Sequence, residues 1–118
     1  MNKTGYIYHP FYLKHDTEPH PENPGRVAAI HRKVSQSDIY RHLATPPPRK
    51  ATAAEIALNH DPAYVRHVKR ACGEGIRYLD ADTVISSDSN AAALLSAGAG
   101  IAAVDLVVDG VCDNVFCA

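Results

Sequence analysis

Seven residues able to hold a metal, move a proton or bind an anion crowd one stretch near the N-terminus: His9, His15, Asp16, Glu18, His20, Glu22 and Arg26. A metal site needs side chains that converge on one ion. The histidines are spaced by six and then five residues, and no regular element turns that spacing into convergence. The reading for this cluster is therefore the incidental polarity of a loop. Arg26 is different in kind. It falls in the first turn expected of a helix, where a cation opposes the helix dipole. A planar, permanently charged donor placed there suits a fixed anionic or carbonyl partner, while a solvated arginine beside Glu22 is the plainer reading. A second pair, Asp80 and Asp82, can do acid–base work or hold a metal, or can cap and turn the backbone.

The elements that must position these groups can be read in chain order. Tyr6-Ile7-Tyr8 is short, aromatic and β-branched, and predicts a strand ending at His9-Pro10. Lys14 to Pro24 is polar and proline-broken, which predicts a long loop. Asn23 as cap and Pro24 at the first position predict a helix to about Val34, with Val27, Ile30 and Val34 toward the core. A short helix over about 38–43 follows, then an edge strand or linker at Thr45-Pro46-Pro47-Pro48-Arg49. Thr52 and Glu55 form a capping box. Asp61-Pro62 starts another helix, with Tyr64, Val65 and Val68 inward and a solvated basic face from Arg66 to Arg70. Leu79 to Val84 reads as a loop. Asn90 caps a long small-residue helix over about 91–109, stopped by Gly110. Gly98 and Gly100 within it predict close approach to a sheet or another helix. Asn114 to Ala118 reads as a buried strand.

The order strand, helices, strand implies an open α/β sheet with parallel strands, and ligands of such sheets bind at the carboxyl ends of the strands. The last strand stops where its own loop should begin, so the domain reads as incomplete. The 118 residues make one domain or part of one. A formal charge of -1, with both signs mixed, gives no electrostatic case for nucleic acid or an anionic membrane. No signal peptide and no apolar run of membrane-spanning length are expected. Cys72, Cys112 and Cys117 suit neither a metal motif nor a disulfide framework, and a cytoplasmic location follows as the default.

The run His15-Asp16 and His20-Pro21-Glu22-Asn23-Pro24-Gly25-Arg26 resembles the N-terminal loop of the zinc-dependent histone deacetylase superfamily, which includes histone deacetylase-like amidohydrolases, acetoin utilisation proteins and acetylpolyamine amidohydrolases. Further pieces agree in order: Tyr6-Ile7-Tyr8, Ala51-Thr52 with Glu55, His60 with Tyr64, Leu79-Asp80 with Asp82-Thr83, Ser89, Ala97-Gly98-Ala99, and Asn114 to Ala118. The resemblance implies an arginase/deacetylase-type open parallel sheet with flanking helices, of which residues 1–118 are the N-terminal portion. It implies zinc-assisted hydrolysis of an N-acetyl amide of the acetyl-lysine or acetylpolyamine type. Its zinc ligands, paired histidines and oxyanion tyrosine lie downstream of Ala118, so no metal ligand and no catalytic residue is expected in this chain. It implies that Arg26 lines the cavity below the zinc on the product route, with Tyr6 and His31 as cavity-wall residues. Asp82 and Thr83 fall at the substrate rim, where a carboxylate or hydroxyl accepts a substrate main-chain N–H. The alternative is a non-catalytic interaction module that folds alone or self-associates through its exposed last strand.

Overall fold

The computed structural model describes residues 2–118. Strand β1 (Thr4–Ile7) pairs in parallel with β4 (Asn114–Cys117), Tyr6 lying opposite Phe116. On its other side β1 is bridged only at Ala44, whose N–H and C=O bond Thr4 and Tyr6. The sheet is therefore parallel and open, with β4 paired on one side only among the described residues.

Side chains alternate across this sheet and recruit one helix to each face. Tyr6 and Phe116 stack on one face with centroids 6.1 Å apart, and the Tyr6 hydroxyl meets His31 of α1 (Pro24–Ser35) at 3.1 Å. Cys117 points the other way, its thiol 3.8 Å from the Ala99 carbonyl of α4 (Ser89–Val108). Ile7, the largest fully buried side chain, lies opposite Cys117 in the β1–β4 register.

Local signals set most helix starts. Asn23 accepts the Gly25 N–H and Pro24 opens α1. Thr52 and Glu55 complete their capping box at α2 (Ala53–Ala57). Asp61 accepts the Ala63 N–H before α3 (Pro62–Gly73). Glu55 also takes both terminal nitrogens of Arg49, at 2.9 and 2.7 Å. That fork, with the Thr52 N–H, holds the Glu55 carboxyl down to about 2. Gly75 and Gly110, just past α3 and α4, both adopt positive φ, which favours glycine.

Several expectations are corrected. Leu79 to Val84 is not a loop: β2 (Tyr78–Asp80) and β3 (Thr83–Val84) form an antiparallel hairpin. Its tight turn is stabilised by Asp80, which accepts the Asp82 N–H at 2.9 Å. Asn90 does not cap α4; the helix begins at Ser89, behind Asp88. The segment 38–43 holds a single 3-10 turn, Tyr40–His42. Ile30 and Tyr64 were expected to pack inward, yet are 42% and 50% exposed. The last strand is present but not buried, Phe116 being 51% exposed on a sheet face that these residues cover only in part.

The close approach expected at the glycines of α4 occurs at Gly98, but against neither a sheet nor a helix. The extended backbone at Arg49–Ala51 crosses the helix there, and the Ala51 N–H donates to the Leu94 carbonyl at 2.9 Å. Nothing approaches Gly100. The proline run before it is thus a linker, laid across α4. Finally, α4 is long and apolar enough by length and composition to cross a membrane, with a mean hydropathy of 2.0 over an 18-residue stretch, contrary to the expectation of no such run. Part of that apolar length packs within the fold: Ala92, Leu95, Gly98 and Ala99 are buried.

Candidate functional site at the strand ends

The segment after β1 and the end of β4 emerge on the same edge of the sheet, where open parallel sheets place their ligands. After β1 the chain makes a 3-10 turn, Pro10–Lys14, capped by His9, whose Nδ1 accepts the Phe11 N–H at 3.0 Å. The loop to Asn23 is then fixed from several sides. Thr17 is buried and donates its hydroxyl to the Glu22 carbonyl. The His20 N–H bonds the Thr17 carbonyl, and Asn23 bonds the carbonyls of His20 and Pro21. Arg77 reaches across to the carbonyls of Asp16 and Glu18.

The loop histidines separate. His9 caps the 3-10 turn, His15 Nδ1 meets the buried Ser89 hydroxyl at 2.6 Å, and His20 Nε2 meets Asp82 Oδ1 at 2.8 Å. Ser86 joins the second contact, its N–H reaching Ser89 Oγ and its hydroxyl the Lys14 carbonyl. This buckle ties the loop to the start of α4. No three His, Cys, Asp or Glu side chains gather at one point among the described residues. The groups present therefore do not fit a zinc ion.

Tyr6 and His31, expected together, are together. They line a cavity of about 240 Å³ with Tyr8, Tyr40 and the proline linker. Tyr8 stacks on the His31 imidazole at 3.7 Å, a contact that sequence reading did not anticipate. Burial, with Tyr40 and Tyr8 nearby, pushes the Tyr6 phenol above its ordinary value, so it stays a neutral donor or acceptor toward His31. Arg26 is not among the residues lining this cavity. Its side chain is 63% exposed and pairs with Glu22 at 3.2 Å, one turn away.

Asp82 and Thr83 stand at a second cavity, of about 310 Å³, between the loop and the hairpin, together with His15, Thr17, His20 and Glu22. The Asp82 carboxylate is 92% exposed and is held only by His20 among the described residues. Asp80 plays the turning role instead: the Asp82 N–H and the Thr83 hydroxyl hold its carboxyl below the ordinary range. The Asp80 carboxylate is thus occupied in the turn, while that of Asp82 stands exposed beside His20. Tyr12, whose buried hydroxyl finds no partner among the described residues, lines a third cavity, with His15, Ser89 and Ala118.

Comparison with known proteins agrees with this geometry. The histone deacetylase domain model matches residues 20–118. A probable deacetylase of Methanothermobacter thermautotrophicus is 35% identical over 105 residues, covering 88% of this chain and 31% of that protein. A probable deacetylase of Archaeoglobus fulgidus is 32% identical over 116 residues, covering 96% and 32%. The crystal structure of the HDA15 HD domain superposes on 98% of this chain and 34% of its own with a TM-score of 0.91, at 24% identity, which speaks for the fold. The chain spans about a third of the length of the curated relatives it matches. With the loop, the hairpin and the sheet edge placed as described, and the family model matching all but the first 19 residues, the chain belongs to the histone deacetylase domain family.

Proposed function

We propose that this chain is the N-terminal portion of a zinc-dependent deacetylase that hydrolyses N-acetyl amides, of acetyl-lysine or acetylpolyamine type. The observation that carries the reading is the family match over residues 20–118. In this reading a zinc ion would be held by residues outside this chain and would supply Lewis-acid activation of an acetyl carbonyl and a water. This chain's own residues build the surroundings. Tyr6 and His31 form the wall of an inner cavity. Arg26 supplies a cation on the product route once further chain packs over the first turn of α1. Asp82 and Thr83 accept a substrate main-chain N–H at the rim. A cytoplasmic setting is consistent with three cysteines that are all free.

The test is an assay of the deacetylase chain that carries this segment, beside the 118 residues alone. An acetyl-lysine peptide and an acetylpolyamine serve as substrates, before and after chelation. The expected result is turnover of at least one substrate by the carrying chain, lost with chelator and restored by zinc, and no turnover by the segment alone. No hydrolysis of either substrate by the zinc-loaded carrying chain would defeat the proposal.

A second reading, a non-catalytic module acting through its last strand, rests on a different observation. One edge of β4 is unpaired, and Phe116 and Val104 beside it are 51% and 61% exposed. Val104, Val107, Val108 and Val115 line an apolar groove on the α4 side. Such an edge recruits other chains. The 118 residues alone are therefore expected to self-associate, with light scattering showing a mass that rises with concentration. A monodisperse monomer at high concentration, melting cooperatively, would exclude this role for β4.

A further inference from the structure

We propose that His20 is a positioning residue. It holds one oxygen of the Asp82 carboxylate and thereby presents the other to a substrate main-chain N–H, an inference that rests on the rim role given to Asp82 above.

The bonding of His20 sets its tautomer. Its Nδ1 accepts the Glu22 N–H at 3.0 Å, so the proton of the neutral ring sits on Nε2. That Nε2–H donates to Asp82 Oδ1 at 2.8 Å. Both ring nitrogens are then used, and the ring cannot flip without losing both bonds. The hydrogen bond made by one nitrogen dictates what the other can do, which is the usual way an imidazole is oriented.

The two partners are not equally anchored. His20 is 25% exposed and belongs to a loop stitched by Thr17, Asn23 and Arg77. The Asp82 backbone is fixed in the hairpin turn by Asp80, but its side chain is 92% exposed with no second contact among the described residues. His20 is therefore the fixed point and Asp82 the group being aimed. A free exposed carboxylate would have to be ordered when the ligand arrives, which weakens binding; holding it beforehand removes that cost. The residues are 62 positions apart, so the contact exists only because loop and hairpin are packed together. An exposed pair of this kind adds little to folding stability, which separates a positioning role from a structural one.

The experiment uses the deacetylase chain that carries this segment, with an acetyl-lysine peptide as probe. Asp82→Ala, His20→Ala, His20→Gln and the His20→Ala/Asp82→Ala double variant are compared by steady-state kinetics and thermal melts. In His20→Ala, KM is expected to rise about three- to tenfold with kcat within about twofold, a loss of binding alone. Its melting temperature should stay near that of the parent. His20→Gln, whose amide can reach where Nε2 stood, should recover most of the loss. The double variant should be no worse than Asp82→Ala, since the two changes break one arrangement. If Asp82→Ala leaves KM unchanged, the rim assignment falls and the positioning role with it. If Asp82→Ala raises KM but His20→Ala does not, the rim stands and His20 is overturned as its positioner. Additive losses, or a fall in kcat tracking a lower melting temperature, would likewise overturn it.

Discussion

Replacing Gly98 with alanine is expected to destabilise the fold by about 3 kcal/mol or more, a large share of the stability of a domain of this size. A Cβ at this position would lie 1.6 Å from the Arg49 carbonyl oxygen, 2.7 Å from its carbon and 2.9 Å from the Ala51 nitrogen. All three are backbone atoms, so no side chain can rotate aside. The linker would have to lift from α4, losing the 2.9 Å bond from Ala51 to Leu94 and uncovering Ala51, now 4% exposed. Gly100 provides the control on the same helix. Nothing lies within 4 Å of its added Cβ, so Gly100→Ala should gain up to about 1 kcal/mol from helix propensity alone. Urea denaturation of the two variants beside the parent decides the matter. A Gly98→Ala midpoint equal to the parent's would mean that the linker does not lie on the helix.

Alanine at Arg26 is expected to show two faces. Within these 118 residues the guanidinium is exposed and its pair with Glu22 spans one helical turn, so stability should move by less than about 0.5 kcal/mol. In the deacetylase chain that carries the segment, the proposed cavity role makes Arg26 a buried charged donor. Removing it there should cost ~1–3 kcal/mol, seen as a fall in turnover of about tenfold or more together with a lower melting temperature. Arg26→Lys should not restore full activity, because an ammonium cannot reproduce the planar fork. Kinetics and melts of both variants in the carrying chain read this directly. Parental values for Arg26→Ala would remove Arg26 from the product route and leave it a surface residue beside Glu22.

What could be read from the sequence divides by range. Asn23 with Pro24, Thr52 with Glu55, and Asp61 with Pro62 act within four residues of themselves, and all three helix starts stand as expected. The parallel sheet followed from the order of elements, and the deacetylase resemblance from the ordered motifs. The groups that organise the candidate site act over longer distances. His20 with Asp82, His15 with Ser89, and Tyr8 on His31 join segments whose meeting no local pattern announces. The loop histidines read as incidental polarity because their spacing was compared with a single metal ion, while each has its own partner. Burial was misjudged where neighbours are few: Ile30, Tyr64 and Phe116 lie on apolar faces that this segment does not itself cover.

The pairing of β1 with β4 bears on how the chain acquires its shape during synthesis. Thr4 meets Asn114, so β1 gains its partner strand β4 only when nearly all of these 118 residues have left the ribosome. Closing so long a loop costs roughly 4 kcal/mol in its length-dependent part. The helices can form beforehand from local contacts, whereas the sheet can be joined only late. Until then Tyr6 and Ile7, both buried in the finished fold, are exposed in the growing chain, as is the apolar length of α4. Folding of these 118 residues is therefore paced by the meeting of two strands 110 positions apart.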